Sequence, residues 1–174
     1  MSYKQELTNN GYCVISGVLN PNEIFIATEK FHNWFDSIPY LKKYHHKINP
    51  HGILKYHNVG QTEHAWYIRT LPQILYYFSD IWNTTPDNLI TGFDGCCYIP
   101  TNSSTNTNCW THTDQSPLVT DLQCYQSFVS LTTNKDNSFV LYKDSHKLHE
   151  KYFIEYKQNL LDTIQNLKKM INNI

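Results

Sequence analysis

The sequence predicts an α+β protein in which helices pack on a mainly antiparallel sheet. Helical spacing of apolar residues dominates the region before residue 83, whereas runs rich in Val, Ile, Tyr and Phe cluster between residues 89 and 143. A final helical pattern closes the chain. Because 174 residues suffice for one core but not comfortably for two, we expect a single domain over residues 1–174.

The first elements follow from turn residues and periodicity. Residues 11–20, "GYCVISGVLN", carry β-branched residues between a glycine and an Asn-Pro step, which predicts a short strand. The following "NPNE" is typical of a helix start, and apolar residues recur every three or four positions, so a helix is predicted over 20–37. Prolines and glycines interrupt residues 40–63, which are predicted as mostly loop.

The remaining elements are predicted from helical spacing of apolar residues and from runs typical of strands. Helices are predicted around 66–69 and over 72–82, and a long amphipathic helix over 147–173, which contains neither proline nor glycine. The predicted strands are 89–99, 122–132 and 138–143.

Composition excludes several functional classes. The formal net charge is −1, with 14 basic against 15 acidic residues, so no strong field attracts nucleic acid or an anionic membrane. The chain shows neither a signal peptide nor a membrane span. Five cysteines without a secretory signal favour reduced thiols. We therefore expect a cytoplasmic protein.

The stretch "CWTHTDQSP", residues 109–117, contains a histidine and an aspartate two positions apart. In an extended segment such residues point to the same face, so His112 and Asp114 present an imidazole and a carboxylate to one point. With a second histidine they would form the facial triad of non-haem iron oxygenases. The alternatives are a hydrogen-bonded turn without metal, or an irregular zinc site with Cys109 and Cys124, cysteines that are more simply interpreted as small buried apolar residues.

Other stretches place this motif in a wider context. In chain order they are "GYCVISGVLNPNEI", "HGILKYHNVG", "HAWYIRTLPQ", "GFDGCCYIP", "WTHTDQSP", "LQCYQSFVSLTTN" and "SHKLHEKYF". Over residues 11–153 the chain resembles the phytanoyl-CoA dioxygenase-like family of Fe(II)- and 2-oxoglutarate-dependent oxygenases, and "HTDQSP" is the most specific element of this resemblance.

The resemblance implies a fold, a chemistry and two ligands. The implied fold is a double-stranded β-helix, or jelly roll, braced by N-terminal helices. His112 and Asp114 match the first two iron ligands, and the implied cofactors are Fe(II) and 2-oxoglutarate. Family members hydroxylate a small-molecule substrate while 2-oxoglutarate is decarboxylated to succinate. No nucleic-acid or membrane partner is implied.

In the family, a further histidine ligand and an arginine for the oxoacid lie on later strands. No position of this chain matches them, so we expect a C-terminally truncated domain. Within the chain, His146 or His149 would have to supply the third ligand, and Arg69 the carboxylate contact. All three are more typical of structural roles.

Two hypotheses follow. In the first, the chain is a truncated relative of these oxygenases, inactive in isolation. In the second, it is an active dioxygenase whose site is completed by His146, His149 or a partner chain. A partial jelly roll would expose strand edges and an apolar sheet face, so we also expect self-association into a homo-oligomer.

Overall fold

The computed structural model describes residues 1–49, 51–100, 111–119, 121–134 and 139–172. Within this part the protein is α+β, with helices and one small antiparallel sheet. The helices are α1 (Tyr3–Asn10), α2 (Pro21–Asp36), α3 (Leu41–Ile48), α4 (Glu63–Arg69), α5 (Pro72–Trp82) and α6 (His149–Asn172), and the strands are β1 (Ile53–Leu54) and β2 (Cys96–Cys97). Short 3₁₀ turns lie at Val59–Gln61, Pro86–Asn88 and Ser145–Lys147. Among the described helices, none has the length and apolar character needed to cross a lipid bilayer.

The chain divides into two compact units. Unit 1 comprises Met1–Val14, Cys109–Phe128 and Val140–Ile174, and therefore carries α1 and α6. Unit 2 comprises Ile15–Asn108 and Val129–Phe139, and carries α2 to α5 with both strands.

The start of α2 shows how local sequence fixes a helix in unit 2. The Asn20 side chain accepts a hydrogen bond from the backbone N–H of Glu23, and the Glu23 carboxylate accepts one from the backbone N–H of Asn20, both at 2.9 Å. This reciprocal cap satisfies two N–H groups that a helix start otherwise leaves unpaired. Pro21 occupies the first helical position, where its missing N–H is harmless. The predicted helix is confirmed.

The core of unit 2 lies between α2, α3 and the sheet. Its buried apolar side chains are Phe31, Phe35, Leu41, Leu54 and Val59. The antiparallel pairs Ile53 with Cys97 and Leu54 with Cys96 place β1 against this cluster. The two strands thus join segments more than forty residues apart in the chain.

The prediction of a loop over 40–63 is wrong in part, because α3 and β1 lie within it. Leu41 and His45, one helical turn apart, are both buried, at 2% and 1% exposure. The imidazole of His45 donates from Nε2 to the carbonyls of Gly52 and Tyr98, and its Nδ1 meets the Tyr56 hydroxyl, all at 3.0 Å. A polar residue therefore occupies an inward position, and hydrophobic periodicity does not detect it.

The predicted strands find few partners. Residues 11–20 are irregular, and only Cys96–Cys97 of the predicted 89–99 strand is paired. Within the described residues, neither 122–132 nor 139–143 belongs to a ladder; Ser138 lies outside them. Extended sequence preference becomes a strand only when another segment supplies the hydrogen bonds, which is a long-range event.

In unit 1, the turn before α6 closes the C-terminal end of α1. Residues 7–10 of α1 offer four carbonyls, and each receives a donor: Gly11 N–H to Leu7 at 2.9 Å, His146 Nε2 to Thr8 at 3.0 Å, Lys147 Nζ to Asn9 at 2.6 Å, and Asp144 N–H to Asn10 at 3.0 Å. The last turn of a helix normally leaves these carbonyls unpaired. The sequence "DSHK" thus caps the C-terminal end of a helix whose last residue, Asn10, lies 134 positions before Asp144.

Candidate functional site

His112 and Asp114 are brought together in unit 1. His112 Nε2 lies 3.3 Å from Asp114 Oδ1, and the two side chains are 49% and 43% exposed. Residues 111–113 are irregular and a bend begins at residue 114, so the pair sits where the chain changes direction. Cys109 and Trp110, the first two residues of the motif, lie outside the described residues.

The separation of the two donor atoms suits two ligands of one metal ion. Imidazole nitrogen and carboxylate oxygen bind such ions at about 2.1 Å, so two ligands at a right angle lie about 3.0 Å apart and two at a tetrahedral angle about 3.4 Å apart. The observed 3.3 Å falls between these values. The same distance permits an ion pair when the imidazole is protonated, so a proton and a metal compete for one nitrogen.

Gln115 fixes the turn that follows the pair. Its side-chain amide donates to the carbonyls of Val119 at 3.3 Å and Asp121 at 2.9 Å, and its side-chain oxygen accepts from the backbone N–H of Gln123 at 2.9 Å. One side chain thus links three points of the loop and holds the backbone next to Asp114. Sequence reasoning missed this residue, because the carbonyls and the N–H that it binds are brought to it only by the folded loop.

A third metal ligand does not join the pair in the described part of the chain. No group of three or more His, Cys, Asp or Glu side chains is placed to hold a metal there. Cys124, proposed as one member of an irregular zinc site, is a free and exposed thiol. The described residues therefore fit a two-donor site and do not by themselves complete a facial triad.

His146 is engaged in the α1 cap. Its Nε2 donates to the Thr8 carbonyl, and its ring lies over Gly11, so that a Cβ at Gly11 would lie 2.4 Å from Nδ1. Preceding it, Asp144 adopts a left-handed φ of 67°, which Asp tolerates better than most residues. The Lys147 ammonium beside Asp144 lowers the pKa of that carboxyl.

His149 has a different environment at the start of α6. Its Nε2 is buried and has no hydrogen-bond partner, while its ring packs edge-on against Phe153 at 4.8 Å between centroids. Phe153 also lines a cavity of about 130 Å³ between Pro117–Val119 and α6, with Glu150 and Lys157 at its walls. The walls of this cavity thus combine apolar side chains with one acidic and one basic residue, and they include neither His112 nor Asp114.

Arg69 belongs to unit 2. Its guanidinium donates to the Gly60 and Asp94 carbonyls, the second at 3.1 Å, and stacks over the Trp66 ring at 5.4 Å. These contacts fasten α4 to two neighbouring loops. They occupy both terminal nitrogens of the side chain that the sequence offered for the oxoacid.

Comparison with known proteins yields one distant likeness. No family model matches the chain, and no solved structure matches it. The chain is 24% identical over 170 residues to the Ava biosynthesis cluster protein O of Aspergillus versicolor. The match covers 90% of this chain and 54% of the relative, so the chain spans about half the length of that protein.

Proposed function

We propose that the chain is related to the Fe(II)- and 2-oxoglutarate-dependent oxygenases of the phytanoyl-CoA dioxygenase-like type, and that His112 and Asp114 are two ligands of a divalent metal. The observation that carries this proposal is the 3.3 Å separation of His112 Nε2 and Asp114 Oδ1 at an accessible bend. The ancestral fold proposed is the jelly roll, and the order of the seven sequence stretches supports it.

As an isolated chain, the protein is proposed to bind the metal without turnover. The described residues supply two ligands, whereas the chemistry requires three protein ligands and a contact for the oxoacid. When bound, the metal would supply a Lewis acid and a site for dioxygen. The chain itself would orient the pair through Gln115, which holds the backbone directly after Asp114.

The relative's name supports a small-molecule substrate class. It places that protein in a biosynthesis cluster. For this chain we carry over a small organic molecule as the ancestral substrate, without assigning its identity.

A specific observation favours an active alternative through His149. In the described residues, its Nε2 and Ser79 Oγ are the buried side-chain nitrogen and oxygen atoms that lack a hydrogen-bond partner. A histidine nitrogen without a partner is available to a ligand, whereas His146 already serves a helix cap. In this alternative, a movement at the start of α6 or a partner chain completes the site.

Anaerobic titration with Fe(II), followed by 2-oxoglutarate, tests the proposal. We expect saturable metal binding by calorimetry, at least about tenfold weaker after His112→Ala or Asp114→Ala because each removes a direct ligand. Addition of 2-oxoglutarate should produce neither the visible band of a chelated oxoacid nor succinate. Equal metal affinity in the wild type and both variants would show that the pair is not a metal site.

Two further variants separate the hypotheses. Under the two-ligand proposal, His146→Gln and His149→Gln leave the metal affinity unchanged. If His149→Gln lost metal affinity, and if the wild type showed the oxoacid band and formed succinate, the hypothesis of an active dioxygenase would replace that of an inactive protein.

A further inference from the structure

Unit 2 contains an aromatic cup that no part of the proposed oxygenase chemistry uses. It is a cavity of about 230 Å³ between α3 and the loop after β1. Its lining is Tyr40, Leu41, Tyr44, His45, Ile48, Tyr56 and His57. No carboxylate belongs to this lining.

The cup exists because the apolar stripe of α3 is wider than the core that it covers. Leu41 and His45 face inward and are almost completely buried, whereas Tyr44 and Ile48 are 40% and 69% exposed. Positions 41, 44, 45 and 48 share one helical face. The outer half of that face is therefore apolar surface open to solvent, which is unfavourable unless something covers it.

Hydrogen bonds hold the walls in place. The Tyr56 hydroxyl meets His45 Nδ1 at 3.0 Å, and the Tyr40 hydroxyl meets His57 Nε2 at 3.0 Å, with the Tyr40 and His57 rings edge to face at 5.5 Å. Four of the lining side chains are thus joined in two pairs before any ligand arrives. A preorganised wall loses little conformational entropy on binding.

The backbone at His57 turns through the left-handed region. His57 and its neighbour Asn58 both have left-handed φ values, 55° and 54°, and neither is glycine. Trp34 Nε1 donates to the His57 carbonyl at 3.4 Å, and Gln61 N–H donates to that of Asn58 at 2.8 Å, which stabilises the turn. His and Asn adopt this region more readily than most residues, so the turn holds the His57 side of the cup in place.

Two ammonium groups lie against Tyr44, which forms one wall of the cup. The ammonium groups of Lys43 and Lys47 lie 5.2 and 5.9 Å from the centroid of the Tyr44 ring. The nearby Asp36 is already paired with Lys42 at 2.8 Å. A ligand that complements the site combines a flat apolar body with a negative group at one end.

We infer that this cup binds a single-ring aromatic carboxylate. The ring would lie among Tyr44, Tyr56 and Ile48, and the carboxylate would face Lys43 and Lys47. The volume supports one ring with a small substituent, because a cavity of about 150 Å³ holds benzene and drug-sized ligands need about 300 Å³ or more. A nucleotide or an acyl-CoA is too large.

Benzoate is the probe, observed through chemical-shift changes in the protein's NMR spectrum. We expect saturable shifts at Tyr44, Ile48 and His57 with millimolar benzoate, and weaker binding of the neutral isostere benzamide. The double substitution Lys43→Gln and Lys47→Gln should lower the affinity for benzoate about fivefold, because two exposed charges act together. The matched control, Lys151→Gln with Lys157→Gln on α6, removes the same charge in unit 1 and should leave the affinity unchanged.

A blocking variant provides a second arm. Ile48→Trp fills the cup from an exposed position, so the variant should fold and lose benzoate binding. Absence of shifts with benzoate, or equal affinity of the Lys43/Lys47 variant and its control, would overturn the inference. So would tighter binding of benzyltrimethylammonium, which would make the cup a cation cage. None of these results depends on the metal site in unit 1.

Discussion

Replacing Gly11 by alanine is expected to destabilise unit 1 in two ways. Gly11 ends α1 with φ 83°, a conformation that costs an L residue about 1–2 kcal/mol, partly offset by about 0.4–1 kcal/mol from a stiffer unfolded chain. The new Cβ would also lie 2.4 Å from His146 Nδ1. The imidazole must move, so its hydrogen bond to the Thr8 carbonyl is lost, which costs about 0.5–1.5 kcal/mol of stability. The sum is about 2 kcal/mol.

Gly17 is the matched control. It has a similar φ of 69°, but a Cβ there would meet no heavy atom within 4 Å. Gly17→Ala should therefore cost only the backbone part, about 1 kcal/mol. The difference between the two substitutions isolates the contact with His146.

A double-mutant cycle in urea provides the assay. In a His146→Ala background, Gly11→Ala should lose its extra cost, which gives a coupling of about 1 kcal/mol between the two sites. Amide exchange of residues 3–10 should report the same change locally, because α1 depends on this cap. Additive effects within about 0.5 kcal/mol would refute the proposed role of His146 as the cap of α1.

Two further predictions concern titrating groups in unit 2. Burial raises the pKa of the Cys96 thiol to about 12, so at pH 8 it carries about a thousandth of the thiolate of an ordinary thiol of pKa 9.0. Maleimide should label exposed Cys124 at least about 100-fold faster than Cys96, with equal rates only in denaturant; equal rates in the folded protein would contradict the burial of Cys96. Burial lowers the pKa of His64, which donates from Nδ1 to the Ala27 carbonyl, below its ordinary value of 6.5. The folded state favours the neutral form of His64, so its contribution to the free energy of unfolding is complete above pH 6.5. That contribution declines as the pH falls from 6.5 through the folded pKa, by at most about 1.4 kcal/mol per pH unit. His64→Asn keeps an N–H donor without titrating, and an unchanged slope of unfolding free energy between pH 5 and 6.5 would refute this assignment.

The helices that sequence reasoning recovered are those whose signals are local. For α5, the predicted and observed bounds coincide, since a proline marks the start and apolar spacing marks the body. Helix α2 carries its own cap in "NPNE". Helix α6 is recognised from apolar residues at helical spacing that no proline or glycine interrupts. Each of these signals lies within a few residues of the element that it specifies.

The elements that sequence reasoning missed depend on distant partners. Helix α1 is a partial exception, because its start carries a local signal, the capping box of Ser2 and Gln5. The carbonyls at its end, however, are satisfied in part by residues 144–147. Helix α3 turns a histidine inward, which is stable only because the carbonyls of Gly52 and Tyr98 accept hydrogen bonds from its Nε2–H group. Most of the predicted strands are also wrong because a strand depends on a distant partner, and they find no pairing segment among the described residues.

The sequence by itself determined the chemistry that can meet at residues 112–114, because a two-residue spacing places an imidazole and a carboxylate within reach of one point. It also determined the long helices and the α+β class. Only the tertiary structure decided how the other candidates are used: His146 in a helix cap, Arg69 between two loops, and His149 with a buried nitrogen lacking a partner. The physical reason is that backbone conformation follows from short-range sterics and caps, whereas the use of a polar side chain depends on which distant donor or acceptor folding brings to it.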